Sequence, residues 1–182
     1  LIVYVTDHGE MLGERYYRFN KYCLYESSVR VPIIIAGSAL PKEFIGKKDN
    51  RPAELVDIYP SVLKAAGVEF SEQLLGINLL SPETRTANFC GLHERNDEAA
   101  FMWRTEQYKL ILQFNKEENA KLYDRSDIIG GEFYNLNSDK QEWNNLYNSK
   151  EVEEKQNIMT VELIGHLKKL KQIKTPLTKQ YP

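Results

Sequence analysis

A carboxylate and an imidazole stand side by side near the start of the chain, at Asp7 and His8, and Gly9 follows them. They come directly after Leu1–Val5, a continuous apolar run that predicts a strand buried on both faces of a parallel sheet. Open α/β sheets place ligands at the carboxyl ends of strands, and both residue types bind metals. The pattern predicts that Asp7 and His8 share one ion. Taken alone, it is equally compatible with Asp7 capping a helix and His8 lying in solvent.

Two further residues have side chains suited to an anionic substrate. Lys21 lies in the polar stretch that leads back to a second predicted buried strand, Val31–Ala36. An ammonium at the same sheet edge presents a point charge to an anion, although most lysines are simply solvated. His93 could reach the same site from the C-terminal half and help select the substrate, but we favour a partly buried strand histidine.

The first 80 residues read as a layered α/β domain. The apolar spacing from Leu55 to Ala66 predicts a helix, with Asp57 as its N-cap and Gly67 at its end. The order strand, loop, strand, helix is typical of such domains. Because a strand buried on both faces needs neighbours, we expect more sheet to precede residue 1 in a longer parent protein.

The chain changes character from about residue 86. Short strands with alternating aromatic and polar residues are predicted at Thr86–Leu92, Ala99–Arg104, Tyr108–Phe114 and Lys121–Tyr123, and a helix at Lys150–Gln172. We therefore expect residues 1–85 to be the C-terminal portion of an α/β domain. Residues 86–182 would form a second α+β unit, with antiparallel strands and a packed helix.

Composition excludes several classes of function. The 182 residues carry a formal net charge of -2, which argues against nucleic-acid binding, and no apolar run is long enough to span a bilayer. The two cysteines, Cys23 and Cys90, match neither a disulfide framework nor a zinc spacing, and we predict that both are small buried hydrophobes.

Several motifs of the chain recur together in one family. In chain order they are Val5-Thr6-Asp7-His8-Gly9-Glu10-Met11-Leu12-Gly13-Glu14, Lys21, Leu24-Tyr25-Glu26, Val29-Arg30-Val31-Pro32-Ile33-Ile34, Leu55-Val56-Asp57-Ile58-Tyr59-Pro60, Arg104-Thr105-Glu106-Gln107-Tyr108-Lys109-Leu110-Ile111 and Phe133-Tyr134-Asn135-Leu136. Through them the chain resembles the type I sulfatase (arylsulfatase) family of the alkaline-phosphatase superfamily. The first block is specific and the later ones are weaker, but they appear in the family's order and cover nearly the whole chain. The implied fold is the C-terminal part of an α/β/α sandwich followed by a small antiparallel sheet with a packed helix.

The resemblance implies a mechanism. In sulfatases a cysteine is converted to formylglycine, whose hydrate attacks a sulfate ester held by a divalent ion, usually calcium. Asp7 and His8 match two of the ligands, and Lys21 matches the lysine that binds the sulfate and steadies the leaving oxygen. The family often has Asn where this chain has His8, so zinc or magnesium remain alternatives to calcium. The implied substrate is a sulfated small molecule or glycan.

The chain departs from the family pattern in its nucleophile. Neither Cys23 nor Cys90 is followed by the Cys-x-Pro/Ala motif with its downstream arginine, and Arg15-Tyr16-Tyr17 replaces a common His-Gly. We therefore expect formylglycine to come from a missing N-terminal part of the same catalytic domain, and this chain alone to be inactive.

Two other functions remain open. A phosphodiesterase or phosphatase of the same superfamily also has Asp-His-Gly after a strand, where it serves a zinc site, and His8 suits zinc. A non-catalytic interaction module is the second alternative, and the isolated chain is expected to self-associate through its exposed sheet edge. By resemblance, the parent would act in a periplasmic, secreted or lysosomal compartment.

Overall fold

The computed structural model describes residues 1–69, 75–93, 98–115 and 123–172. Eight strands lie in three antiparallel sheets: β1 Ile2–Val5, β2 Met11–Leu12, β3 Phe19–Asn20, β4 Ile33–Ala36, β5 Asn88–His93, β6 Glu98–Arg104, β7 Tyr108–Asn115 and β8 Ile128–Asn135. The α-helices are α1 Glu26–Val29, α2 Ile58–Ala65 and α3 Glu153–Gln172, and short 3-10 turns cover Lys42–Phe44, Leu55–Asp57, Arg125–Asp127 and Lys150–Val152. In these ranges, no helix is long and apolar enough to cross a membrane.

The two predicted strands of the first half exist, but their direction differs from the prediction. β1 pairs with β4 in antiparallel register, from Ile2 opposite Ala36 to Val5 opposite Ile33. The prediction of a parallel strand was wrong here, because β1 and β4 run in opposite directions. In this chain alone, Ile2 and Tyr4 are 69% and 63% exposed. A run of apolar β-branched residues indicates a strand that must be buried. It does not indicate whether that strand pairs in parallel or antiparallel direction.

The predicted helix after residue 55 begins with a 3-10 turn. Asp57 stands at the N-cap of α2 as expected, but its carboxylate makes no cap bond to that helix. It is fully buried and accepts instead from the backbone N–H groups of Glu54, at 2.7 Å, and Ile77, at 2.8 Å, and it pairs with Arg85. Gly67, with φ of +71°, follows the helix in the left-handed conformation typical of a C-terminal stop.

The second half is built on a four-stranded sheet in the order β5-β6-β7-β8. The three earlier strands lie where the sequence predicts them, and β6 and β7 form the expected hairpin around Glu106 and Gln107. β8 was missed because Gly130 and Gly131 interrupt its pattern. Gly131 is required, since a Cβ there would lie 2.5 Å from the Tyr147 ring. Of the strand predicted at Lys121–Tyr123, residues 121 and 122 lie outside the described ranges, and Tyr123 is not in a strand.

Both faces of this sheet are covered. α3 packs on one face through the predicted stripe, and Met159, Leu163 and Leu167 are buried against Leu110 and Leu112. On the other face, Leu24 from the first half of the chain joins a cluster with Met102, Ile111, Tyr134 and Leu136. The segment that carries Leu24 is therefore held against the C-terminal sheet.

Candidate active site

The turn after β1 brings two ligand-type side chains together. Asp7 Oδ2 lies 3.5 Å from His8 Nε2, and the Asp7 side chain is 82% exposed. The other oxygen of Asp7 accepts hydrogen bonds from the His8 backbone N–H at 3.0 Å and from the Thr6 hydroxyl at 3.3 Å. The backbone N–H of His8 is the main reason that the pKa of Asp7 lies below its usual value. The carboxylate is therefore charged at neutral pH, with one oxygen directed at the imidazole.

The tautomer of His8 follows from its second nitrogen. Nδ1 lies 2.8 Å from the carbonyl oxygen of Gly9, which can only accept, so Nδ1 carries the hydrogen and donates. When the ring is neutral, Nε2 then keeps its lone pair, and it lies 3.5 Å from Asp7 Oδ2. A backbone carbonyl that fixes the far nitrogen in this way is the usual outer-shell arrangement of a metal-binding histidine.

These two donors fit a divalent ion, but only as part of its ligand set. Metal ligands lie about 2.0–2.6 Å from zinc or calcium, so two atoms 3.5 Å apart can bind one ion. Over the residues with described side chains, no group of three or more His, Cys, Asp or Glu is assembled. Further ligands would have to come from outside this set.

Gly9 allows this turn to approach helix α1. Its N–H donates to the carbonyl oxygen of Ser28 at 2.7 Å, and a Cβ at this position would lie 2.1 Å from the carbonyl oxygen of Ser27. Real Cβ atoms do not come so close to backbone, so only glycine fits here. The Asp7–His8 turn is thereby fixed against α1.

Lys21 is fixed to the same helix. Its carbonyl oxygen accepts from the Ser28 hydroxyl at 2.6 Å and from the Cys23 N–H at 2.9 Å, while its side chain is exposed. Ser28 is only 2% exposed, and its carbonyl and hydroxyl oxygens bond Gly9 and Lys21 respectively. Ser28 thus links the backbone of Gly9, which follows Asp7 and His8, to the backbone of Lys21 in one hydrogen-bonded unit.

His93, the fourth predicted site residue, has no described contact with this hydrogen-bonded unit. His93 ends β5, where its backbone pairs with Ala99, and its side chain lies outside the described set. His166 on α3 lies against the Phe89 and Trp103 rings, with centroid distances of 4.7 and 5.2 Å, and burial lowers its pKa.

The two cysteines do not supply a nucleophile. Cys23 is 7% exposed and Cys90 is partly buried, and both are free thiols, as expected for small apolar residues. Burial raises the pKa of Cys90, which keeps the thiol protonated and unreactive at neutral pH.

A buried ionic cluster next to residues 21–26, which we call the Lys21 segment, was not predicted from the sequence. Lys109 is fully buried in β7, and its ammonium lies 2.8 Å from Glu26 and 2.6 Å from Glu142. Arg104 also binds Glu26, at 3.0 Å. Burial alone would raise the pKa of Glu26, but Lys109 and Arg104 outweigh it and lower that pKa. A lysine inside an otherwise apolar strand was the available signal, since a buried cation needs carboxylate partners.

A second missed cluster combines Arg15 with two tyrosines. The Arg15 guanidinium donates to the Tyr134 hydroxyl at 3.0 Å and lies 4.0 Å from the centre of the Tyr25 ring. Both hydroxyls donate to Glu132, and Tyr25 and Glu132 line a cavity of about 150 Å³ next to the Lys21 segment. Arg15 and Tyr25 thus link the first half of the chain to Tyr134 and Glu132 of β8.

Comparisons with known proteins find sulfatases. The sulfatase family model matches residues 1–68. A sulfatase of Formosa agariphila is 42% identical over 69 residues, which are 38% of this chain and 13% of that protein. Arylsulfatase K of Bos taurus is 27% identical over 80% of this chain and 27% of its own length. An N-acetylglucosamine-6-O-sulfatase of Bacteroides thetaiotaomicron is 31% identical over 86% of this chain and 28% of its own length.

Solved structures share the fold over almost the entire chain. A protein in complex with its substrate D-glucosamine-2-N,6-O-disulfate matches 98% of this chain and 36% of its own, with a TM-score of 0.71 and 26% identity. A phosphonate monoester hydrolase of Agrobacterium radiobacter matches 95% and 34%, with a TM-score of 0.70 and 19% identity, which shows the fold alone. The fold is that of the alkaline-phosphatase-like hydrolases, as predicted. Within that class, the chain is similar to sulfatases, by the family model over residues 1–68 and by its relatives over most of its length.

Proposed function

We propose that this chain is one part of a sulfuric ester hydrolase, in which Asp7 and His8 contribute two ligands to a divalent ion and Lys21 binds the sulfate. The chain spans about a quarter of the length of arylsulfatase K, so the remaining groups would come from the rest of a longer protein. The observation that carries the proposal is the convergence of Asp7 Oδ2 and His8 Nε2, 3.5 Å apart, in a turn bonded through Ser28 to Lys21.

Each proposed residue has a physical role. The charged carboxylate of Asp7 and the neutral imidazole of His8 offer lone pairs, which is the state that metal binding requires. When bound, the ion, for which calcium is our first choice, would supply positive charge to the sulfate. The exposed ammonium of Lys21 would bind sulfate oxygens and stabilise the charge that develops on the leaving oxygen. Formylglycine would be supplied from outside this chain.

The proposed substrate is a sulfated sugar. The support is the neighbouring structure in complex with a disulfated glucosamine, and the relative named as an N-acetylglucosamine-6-O-sulfatase. Such substrates lie outside the cytoplasm, so we propose a periplasmic, secreted or lysosomal location. We also propose that residues 1–85 complete the catalytic domain, that residues 86–182 form a C-terminal subdomain, and that His93 contributes to substrate selection.

The test uses the full-length, correctly matured protein. We expect Asp7→Ala and Lys21→Ala each to lower kcat/KM for an aryl sulfate and a sulfated glucosamine by about 100-fold or more, since each removes charge stabilisation at the reacting group. Lys168→Ala is the matched control, because the partner described for that lysine is the exposed Asp124, at 3.5 Å, and it should keep full activity. Full turnover by an Asp7→Ala/Lys21→Ala double variant would refute the proposal.

A phosphodiester or phosphonate ester hydrolase is the second candidate. The histidine ligand favours zinc over calcium, and the phosphonate monoester hydrolase shares the fold. Assays with paired sulfate and phosphonate esters, together with metal analysis of the purified protein, separate the two. A preference for the phosphonate ester with bound zinc would select this alternative.

A further inference from the structure

Lys109 is a cation with no access to solvent. Besides its two carboxylate partners, Glu26 at 2.8 Å and Glu142 at 2.6 Å, its ammonium donates to the carbonyl oxygen of Leu24 at 3.0 Å. Three oxygens therefore surround the ammonium: one accepts a hydrogen bond and two belong to ion-paired carboxylates. Two of these partners, Leu24 and Glu26, belong to the segment that follows Lys21.

Glu142 holds the same segment from a second direction. Its other carboxylate oxygen accepts from the backbone N–H of Glu26, the first residue of α1, at 2.7 Å. A helix of four residues has no stability of its own, because forming a single turn costs more than its hydrogen bonds return. The conformation of α1 therefore depends on groups that bind its start, which include Lys109, Glu142 and Arg104.

Ser28 connects α1 to the candidate site through two hydrogen bonds. The carbonyl oxygen of Ser28 accepts from Gly9, next to Asp7 and His8, and its hydroxyl donates to the carbonyl oxygen of Lys21. A shift of α1 would move both connections together. The distance between the Asp7–His8 turn and Lys21 is thus set by a helix that the C-terminal sheet holds.

We propose that Lys109 is a positioning residue for Lys21 and acts through α1 and Ser28. The inference rests on the proposed function, because it needs Lys21 to contact the sulfate. Its content is distinct: a buried lysine of the C-terminal sheet, which never touches substrate, decides whether the ammonium of Lys21 meets the sulfate held beside Asp7 and His8. Small displacements of a reacting or charge-stabilising group are enough to lower the rate strongly.

Double-mutant cycles in the full-length protein test this role. We expect Lys109→Met and Ser28→Ala each to lower kcat/KM for an aryl sulfate by about tenfold or more when Lys21 is present. In a Lys21→Ala background, measured by single turnover with enzyme in excess, Ser28→Ala should have no further effect, because it removes only the bond to Lys21 and keeps the carbonyl bond to Gly9. Lys109→Met should lose most of its effect in that background. Ser28→Ala decides the matter if Lys109→Met does not fold.

Matched controls come from the other buried network of the chain. Ser61 is 1% exposed and its hydroxyl donates to the carbonyl oxygen of Asp57 at 2.6 Å, while Arg85 binds Glu54 at 2.7 Å. Neither residue has a described contact with the Lys21 segment. Ser61→Ala and Arg85→Met should therefore disturb stability to a similar degree without the loss of turnover, when all variants are assayed below their unfolding temperatures.

The outcomes separate the two proposals. If Lys21→Ala leaves turnover intact, the proposed function of Lys21 fails, and this inference fails with it. If Lys21→Ala lowers turnover but Lys109→Met and Ser28→Ala retain their full effects in that background, only the positioning role is refuted. An equal loss in Ser61→Ala and Ser28→Ala would also refute it.

Discussion

Tyr25 and Tyr134 illustrate how burial changes the chemistry of single residues. Both hydroxyls donate to Glu132. Burial first, and then the negative charge of Glu132, raise the pKa of Tyr25 to about 12, and the same causes raise the pKa of Tyr134. Arg15, which lies against both rings, opposes the shift without reversing it. The two phenols are therefore hydrogen-bond donors that stay protonated well above the range in which exposed tyrosines ionise.

This shift predicts a loss of stability in strong alkali. A group whose pKa is raised on folding contributes stability that is complete below its unfolded value near 10 and is lost as the pH rises through 12. We expect Tyr25→Phe to weaken the decline in the free energy of unfolding between pH 10 and 12, measured by urea titration. Tyr17→Phe, at a residue that is 86% exposed, is the control and should leave the decline unchanged. An identical slope for Tyr25→Phe and the unmodified chain would contradict the explanation.

At the scale of elements, the close approach of the β1–β2 connection to α1 makes Gly9 indispensable. A methyl group there would meet the Ser27 carbonyl oxygen at 2.1 Å. We expect Gly9→Ala to lower the free energy of unfolding by about 1–3 kcal/mol, because backbone must move to admit the side chain. Thermal and urea unfolding of the chain measure this.

Gly165→Ala in α3 is the control, and its expected effect on the free energy of unfolding is opposite to that of Gly9→Ala. Nothing lies within 4 Å of a Cβ built there, and it lies inside a long helix. Alanine is more favourable than glycine in a helix, so Gly165→Ala should raise the free energy of unfolding by about 0.5–1 kcal/mol. If both substitutions had the same effect, the clash at Gly9 would not be the cause.

The whole molecule exposes an apolar surface on its first half. Ile2 and Tyr4 of β1, Ile34 of β4 and Tyr59 of α2 are each more than half exposed. Tyr4 and Ile34 are paired across β1 and β4, and apolar surface of this kind is typical of a face that another protein surface covers. The longer relatives have additional chain that is absent here, and the proposal of a missing partner domain accounts for the exposure.

We expect the isolated chain to self-associate through β1. Sedimentation velocity should show a mass that rises with concentration, and Tyr4→Lys should reduce the rise, because charge at an exposed strand opposes edge-to-edge pairing. Val161→Lys on α3, where the valine is 66% exposed, is the control and should not. A chain that stays monomeric at all concentrations would show that this surface does not pair with itself.

The amino-acid sequence determined the local elements and the resemblance to sulfatases. Runs of β-branched residues fixed β1 and β4, the apolar stripe fixed α3, and the Asp7-His8-Gly9 turn with Lys21 identified the candidate site, because each signal depends on neighbours in the chain. Only the tertiary structure decided three other features. They are the antiparallel direction of β1, the strand β8 with its glycines, and the hydrogen bond from Lys109 to Leu24, which are 85 residues apart. Such contacts join segments that are distant in the chain. The hydrophobic pattern of a sequence does not indicate which buried cation will pair with which carboxylate.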